Sequence, residues 1–256
     1  WTNYVYTGPQ GTPKPKYVIE GGMGPEIEGG AQLNNFVTLM YDFLTQEQIE
    51  KYAGRVNIFI PDPAKNAQQG GANMTGSNRL DFCKNHMVAN VILKDEAKIQ
   101  ESMSKAFAAS GKVIEIVKSG DGFYYDGSTV FHTNKAYTSG YGRALIAASG
   151  YYLHVLNGIE DYQSFVEEKV DLLSEVIEVN YVPVVWQGLL SDVTAGRGIS
   201  RQLQSQEVRG LSFINGMTLI ARMAKEDQRI QLQGHLKYWI QENPRIVTNL
   251  LDPTSK

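Results

Sequence analysis

The sequence predicts an all-α protein made of paired antiparallel helices, and three observations carry that expectation. Apolar residues recur at helical spacing over stretches of roughly 10–20 residues. Capping and stop residues bracket several of these stretches. Loops rich in Gly and Pro separate them, and no regular strand spacing is visible.

Residues 8–30 are rich in Gly and Pro, which is loop chemistry. The first helix follows, with Leu33, Phe36, Val37 and Met40 on one face of a 3.6-residue period. Thr45 and Gln48 read as a capping box for a short helix over 46–54. Residues 56–60 look strand-like, and Pro61 and Pro63 then break the chain. A polar stretch runs from Asn66 to Gly76. A helix over about 80–93 carries Leu80, Cys83, Met87, Val88 and Val91 on one side. The next covers about 96–109, with Asp95 as N-cap and Gly111 as stop. A short apolar, strand-like piece at 113–117 leads to a turn at Gly120-Asp121-Gly122. Further helices are predicted near 141–157, 161–180, 205–224 and 227–242, and Pro244 ends the last.

Composition excludes several function classes. The 256 residues carry 24 Lys+Arg against 27 Asp+Glu, so the net charge of −3 offers no electrostatic footprint for nucleic acid. No apolar run approaches the roughly 20 residues of a membrane helix. The single cysteine, Cys83, excludes an internal disulfide framework and a cysteine-rich zinc site. The four histidines show no metal-ligand spacing, and neither metal nor cofactor is expected. Gly196-x-Gly198 is no dinucleotide fingerprint, because no strand precedes it and the third glycine is missing. The chain opens at Trp1 without a signal-peptide pattern, as a mature secreted protein or a fragment would.

Three polar segments remain. The first is Thr75-Gly76-Ser77-Asn78-Arg79. The second runs from Gly120-Asp121-Gly122-Phe123-Tyr124 through His132-Thr133-Asn134 to Tyr137-Thr138-Ser139-Gly140-Tyr141-Gly142. The third is Gly196-Arg197-Gly198-Ile199-Ser200-Arg201. Each has a plain structural explanation. Asn78 fits an N-cap, His132 a hydrogen-bonded structural histidine, residues 137–142 a turn, and Arg197 and Arg201 solvated charges.

Taken together and in this order, the segments resemble the polysaccharide lyase family of hyaluronate, chondroitin AC and xanthan lyases. Residues 75–79 are similar to that family's Thr-Gly-Ala-Asn-Arg. Residues 120–128 followed by His132-Thr133-Asn134 are similar to its most specific signature, and Tyr141 follows His132 at the family's interval. Residues 196–201 match its arginine motif, with support from 43–49 and Phe59-Ile60-Pro61-Asp62-Pro63. The resemblance implies an α/α toroid of helical hairpins over 1–256, part of a catalytic domain, with residues 8–30 as an insertion. In the family, antiparallel β domains follow, and in some members they contribute a supporting glutamate. No residue of this chain matches that role.

The implied reaction is β-elimination at a uronic acid in an acidic polysaccharide, with hyaluronan or chondroitin favoured over xanthan. A non-catalytic glycan-binding domain on the same fold is the alternative. The hard step removes the C5 proton beside a carboxylate. By resemblance Asn78 hydrogen-bonds that carboxylate as charge develops. His132 and Tyr141 share the acid and base work, either as base and acid respectively, or with Tyr141 in both roles and His132 on the carboxylate. Arg197 and Arg201 supply positive charge near Tyr141 or the substrate. Trp1 matches one of a tryptophan pair that stacks on sugar, although Thr2 occupies the second position and Ala72 a phenylalanine position. Asn134 is implied in substrate binding. Trp186 and Trp239 read as core or helix-face residues. A secreted enzyme is the implied setting, with its β domains and an acidic glycan as partners, and with no nucleic acid or membrane partner.

Overall fold

The computed structural model describes residues 29–66, 71–132, 134–200 and 205–248. The predicted insertion falls almost wholly outside the described residues, and Trp1 and Arg201 lie outside them entirely. The chain divides into two compact units, Trp1–Gly111 and Lys112–Lys256.

The first unit packs four helices, α1 (Gly30–Leu39), α2 (Gln46–Phe59), α3 (Gly76–Leu93) and α4 (Glu96–Ala106). The predicted box starts α2: Thr45 Oγ1 accepts from Gln48 N at 3.3 Å, and Gln48 Oε1 accepts from Thr45 N at 2.9 Å. Residues 56–60 are not a strand. They form the last turn of α2 and its exit, because Val56, Phe59 and Ile60 pack with Met74, Phe82 and Ala89 in one buried cluster. A short β-branched run cannot distinguish strand from buried helix end by pattern alone. Asp95 caps α4 by accepting from Lys98 N at 3.2 Å, but the helix stops at Ala106, before the predicted Gly111. Helix α1 buries Gly30, Asn34 and Val37 while Phe36 and Met40 face out. The face is rotated from the predicted stripe because Asn34 turns inward, where its Nδ2 donates to the Asn85 carbonyl at 2.9 Å. Between α2 and α3 lies a two-stranded ribbon, β1 (Lys65–Asn66) and β2 (Ala72–Asn73).

The second unit holds α5 (Arg143–Leu156), α6 (Glu160–Val176), α7 (Gln206–Met223), α8 (Glu226–Glu242) and the short α9 (Arg245–Thr248). Short loops at 157–159 and 224–225 turn α5 into α6 and α7 into α8. Helices α5 and α7 approach closely where Gly150 meets Gly216. A methyl group on Gly150 would lie 2.6 Å from the Gly216 carbonyl oxygen, so only glycine permits this crossing. The core includes Tyr152, Leu153, Tyr181, Phe213, Met217 and Trp239. Tyr181 stacks on Phe213 at 4.9 Å and 11°. Trp239 is buried on α8, as predicted, whereas Trp186 is 71% exposed. It lies not on a helix but on a hairpin of β6 (Val185–Trp186) and β7 (Leu189–Leu190), turned by Gln187 and Gly188 at positive φ.

Three further strands, β3 (Gly122–Phe123), β4 (Thr129–Phe131) and β5 (Lys135–Ala136), form a small antiparallel sheet. The predicted strand at 113–117 contributes only a bridge from Ile116 to Phe123. Every strand among the described residues is two or three residues long, so the all-α expectation holds. No helix among these residues is long and apolar enough to cross a membrane.

Candidate active site

The second unit gathers three of the predicted residues at one point. Strand β4 ends at Phe131, and the chain reverses through His132 in the left-handed region at φ 53°. Such a backbone is unusual for a residue with a side chain, and it aims the imidazole out of the hairpin. After β5, Tyr137 N donates to the Thr129 carbonyl at 2.9 Å. The following residues, Thr138–Gly142, wind as one π turn into α5, with Gly142 N donating to the Tyr137 carbonyl at 3.0 Å. Single π turns recur at functional sites. Here the hairpin and the π turn bring Tyr141 back to His132, with ring centroids 4.8 Å apart at 79°. Phe131 backs Tyr141 at 5.8 Å.

Arg197 arrives from the third polar segment, 65 residues away in sequence. Its Nη2 donates to His132 Nε2 at 3.0 Å. A guanidinium has no acceptor, so Nε2 carries the lone pair and a neutral His132 holds its proton on Nδ1. The ring is partly enclosed, and the enclosure is the main cause that lowers its pKa from the ordinary value, with the Arg197 charge second. Both favour the neutral imidazole. The neighbouring Tyr137 side chain first, and Tyr141 after it, hold the pKa of the guanidinium above its ordinary value. His132 and Arg197 are exposed and Tyr141 is half-buried, so all three are open to a ligand.

The arginine loop is anchored from below. Ser139 Oγ donates to the Ser191 carbonyl at 2.7 Å, and Thr194 Oγ1 donates to Ser139 Oγ at 3.2 Å. Asp192 pairs with the buried Arg209 of α7 and accepts from Gln206 Nε2 at 2.6 Å. Asn180 Nδ2 donates to the Ser128 carbonyl at 2.9 Å, tying the β3–β4 turn to the end of α6. Asn134 is exposed beside His132, and its Oδ1 accepts from Lys135 Nζ at 3.3 Å.

Asn78 belongs to the first unit. It is not an N-cap: Thr75 holds that position, and Asn78 is half-buried in the first turn of α3. Its neighbour Arg79 is 2% exposed and entirely structural. Arg79 Nε donates to the Lys105 carbonyl at 2.7 Å and Nη1 to the Ala64 carbonyl at 2.9 Å. These bonds pin the turn that carries Asn78, a role that sequence reasoning missed for Arg79. Tyr137 was likewise read only as part of a turn. Among the described residues no group of three or more His, Cys, Asp or Glu side chains could hold a metal ion.

An all-α domain with a histidine, a tyrosine and an arginine converging from two loops defines the class. The chain belongs to polysaccharide lyase family 8: residues 26–238 match that family's N terminal alpha-helical domain. A hyaluronate lyase from Thermasporomyces composti is 31% identical over 208 residues, 81% of this chain and 25% of its own length. A xanthan lyase from Bacillus sp. (strain GL1) is 26% identical over 211 residues, 82% of this chain and 21% of that protein. The structure of the Streptomyces coelicolor A3 chondroitin AC lyase in complex with chondroitin sulphate matches with a TM-score of 0.78 and 26% identity. That match covers 97% of this chain and 33% of that one. The chain thus spans about a quarter of the curated relatives it matches.

Proposed function

We propose that this chain carries reacting groups of a lyase that cleaves an acidic, uronic-acid-containing polysaccharide by β-elimination, with hyaluronan or chondroitin favoured. The single observation that carries the reading is the 3.0 Å contact between Arg197 and His132 Nε2, edge-on to Tyr141. Similarity to hyaluronate, xanthan and chondroitin AC lyases supports it.

The contact also bears on the division of labour. With Arg197 donating into the Nε2 lone pair, His132 is occupied as a base and retains Nδ1–H as a donor. This favours Tyr141 as both base at C5 and acid at the leaving O4. His132 and Asn78 then hydrogen-bond the uronate carboxylate, where an amide and a neutral imidazole stabilise charge as it develops. Arg197, with Arg201, stabilises the phenolate form of Tyr141 that the base role requires. The proton moves from C5 to the Tyr141 oxygen and then to O4, so the tyrosine returns to its starting state and the product is a 4,5-unsaturated uronide. Asn134 and Trp1 are proposed to contact the sugar. The β domains found in the family are expected to complete the enzyme. A polymeric substrate also implies a secreted protein.

The test is incubation of the full-length protein with hyaluronan, chondroitin and xanthan while following the ultraviolet absorbance of the unsaturated uronide. Absorbance rising on at least one polymer supports the reading. Absence of product on all three overturns it.

A further inference from the structure

We infer that Ser139 is a positioning residue of this site: its buried hydroxyl ties the π turn that carries Tyr141 to the loop that carries Arg197, and so sets where the guanidinium meets His132. Only its consequence for turnover rests on the lyase reading.

Ser139 lies in the π turn Thr138–Gly142, two residues before Tyr141. It is 0% exposed, so it touches no polymer. A serine in a helical turn ordinarily bonds a carbonyl three or four residues back in its own chain. Ser139 Oγ instead donates to the Ser191 carbonyl at 2.7 Å, 52 residues away. Its oxygen accepts from Thr194 Oγ1 at 3.2 Å. The Thr194 hydroxyl also lies 3.0 Å from the Ser191 carbonyl, so its one proton is shared and the three groups close a ring. The two segments meet closely beside this link. A methyl group on Gly140 would lie 3.2 Å from the Ala195 carbonyl oxygen, and one on Gly196 would lie 1.7 Å from the Tyr137 ring, whose slot the arginine loop closes.

From Ser191 a stiff path leads to Arg197. Thr194 N donates to the Ser191 carbonyl at 3.3 Å, Ala195 N to the Asp192 carbonyl at 3.0 Å, and Gly198 N to the Ala195 carbonyl at 2.9 Å. These overlapping turns leave the backbone little freedom, whereas the exposed Arg197 side chain has much rotamer freedom to lose. Its 3.0 Å contact with His132 Nε2 is therefore only as well placed as the loop beneath it. Asp192 holds the other side of that loop to Arg209 and Gln206 of α7. The loop thus stays folded without Ser139. What Ser139 adds is its register against the turn on which Tyr141 rides.

The test is Ser139→Ala in the full-length protein. The Thr194 proton still finds the Ser191 carbonyl, so the urea midpoint stays near that of the wild type. The deciding measurement is the rate of His132 carbethoxylation by diethylpyrocarbonate, followed by peptide mass spectrometry. The reagent attacks the ring nitrogen with the lone pair, which is Nε2, the atom that Arg197 covers. It is applied at about pH 8, where the imidazole is neutral with or without the arginine, so the rate reports cover and not protonation. Ser139→Ala raises the rate about fivefold, the weight of one buried hydrogen bond, toward the rate of Arg197→Ala measured alongside. Combined with Arg197→Ala it adds nothing further. Turnover falls by about the same factor with little change in KM. Should Ser139→Ala fold poorly, Thr194→Val decides on the same criterion, because it removes the other hydroxyl of the ring without touching the π turn. A His132 rate equal to that of the wild type overturns the inference, whatever turnover does. So does an unchanged rate in Arg197→Ala, since the guanidinium would then not cover Nε2. If the wild-type protein cleaves no acidic glycan, the lyase reading fails, and the His132 rate still decides the role of Ser139.

Discussion

Replacing Gly196 by alanine should both destabilise the second unit and disable the site. The added Cβ would sit 1.7 and 1.8 Å from two carbons of the Tyr137 ring, far inside van der Waals contact. The ring has little room to retreat, because the residue is 3% exposed and lies against His132 and Tyr141. Two costs add. Holding a non-glycine residue at φ +53° costs about 1–2 kcal/mol. Forcing an extra carbon into a packed slot costs about 1–3 kcal/mol. The expected loss is therefore about 2–5 kcal/mol, read as a lower urea midpoint at unchanged slope. Gly54→Ala and Gly234→Ala are matched controls. Each lies inside a helix, α2 or α8, with nothing within 4 Å of an added Cβ, so each should gain about 0.5–1 kcal/mol. A Gly196→Ala protein as stable as wild type, with the controls behaving as stated, would refute the slot and with it the packing of Tyr137 against the arginine loop.

Other outcomes follow from the same geometry. Tyr141→Phe should lower turnover by orders of magnitude while circular dichroism stays native, and near-full activity would remove Tyr141 from the acid and base roles. Asn78→Ala should reduce kcat more than it raises KM, since its proposed hydrogen bond strengthens as charge develops; a pure KM effect would contradict that. Asp192→Ala should cost about 2 kcal/mol by leaving the buried Arg209 without its carboxylate, less than the about 3–5 kcal/mol of a fully buried pair because Asp192 is 45% exposed; thermal unfolding checks it. His86 is buried against Ser102 Oγ at 2.6 Å, and burial lowers its pKa to about 4. Above about pH 6.5 neither folded nor unfolded chain binds that proton. Between 6.5 and 4 only the unfolded chain does, so about 3 kcal/mol of stability is lost across that window, and His86→Gln should flatten the loss in urea titrations at each pH.

Much of the fold was legible in the linear chain because helix boundaries are set locally. The Thr45 box and the Asp95 cap are hydrogen bonds between residues three apart, and both form as predicted. The long helices from 143 to 242 lie within a few residues of their predicted spans. What failed was decided by partners distant in sequence. Residues 56–60 are helix end rather than strand because Met74, Phe82 and Ala89 bury them. Helix α1 is rotated by a hydrogen bond from the Asn34 side chain to the carbonyl of Asn85, 51 residues on. Trp186 is exposed because a Gln187–Gly188 turn made a hairpin where helix-face packing was expected.

The candidate site divides in the same way. The sequence alone determined which side chains to watch, Asn78, His132, Tyr141, Arg197 and Arg201, because residue types in a fixed order survive without coordinates. It also determined the all-α class, because a 3.6-residue period is written along the chain. Only the tertiary structure decided that Arg197 donates to Nε2 of His132, which leaves that imidazole neutral and occupied. Only the structure separated Tyr137, sealed between two glycine backbones, from Tyr141, open to a ligand. The reason is physical. Capping and periodicity are satisfied within a turn of the chain, whereas the state of a side chain depends on which atoms the fold brings to it.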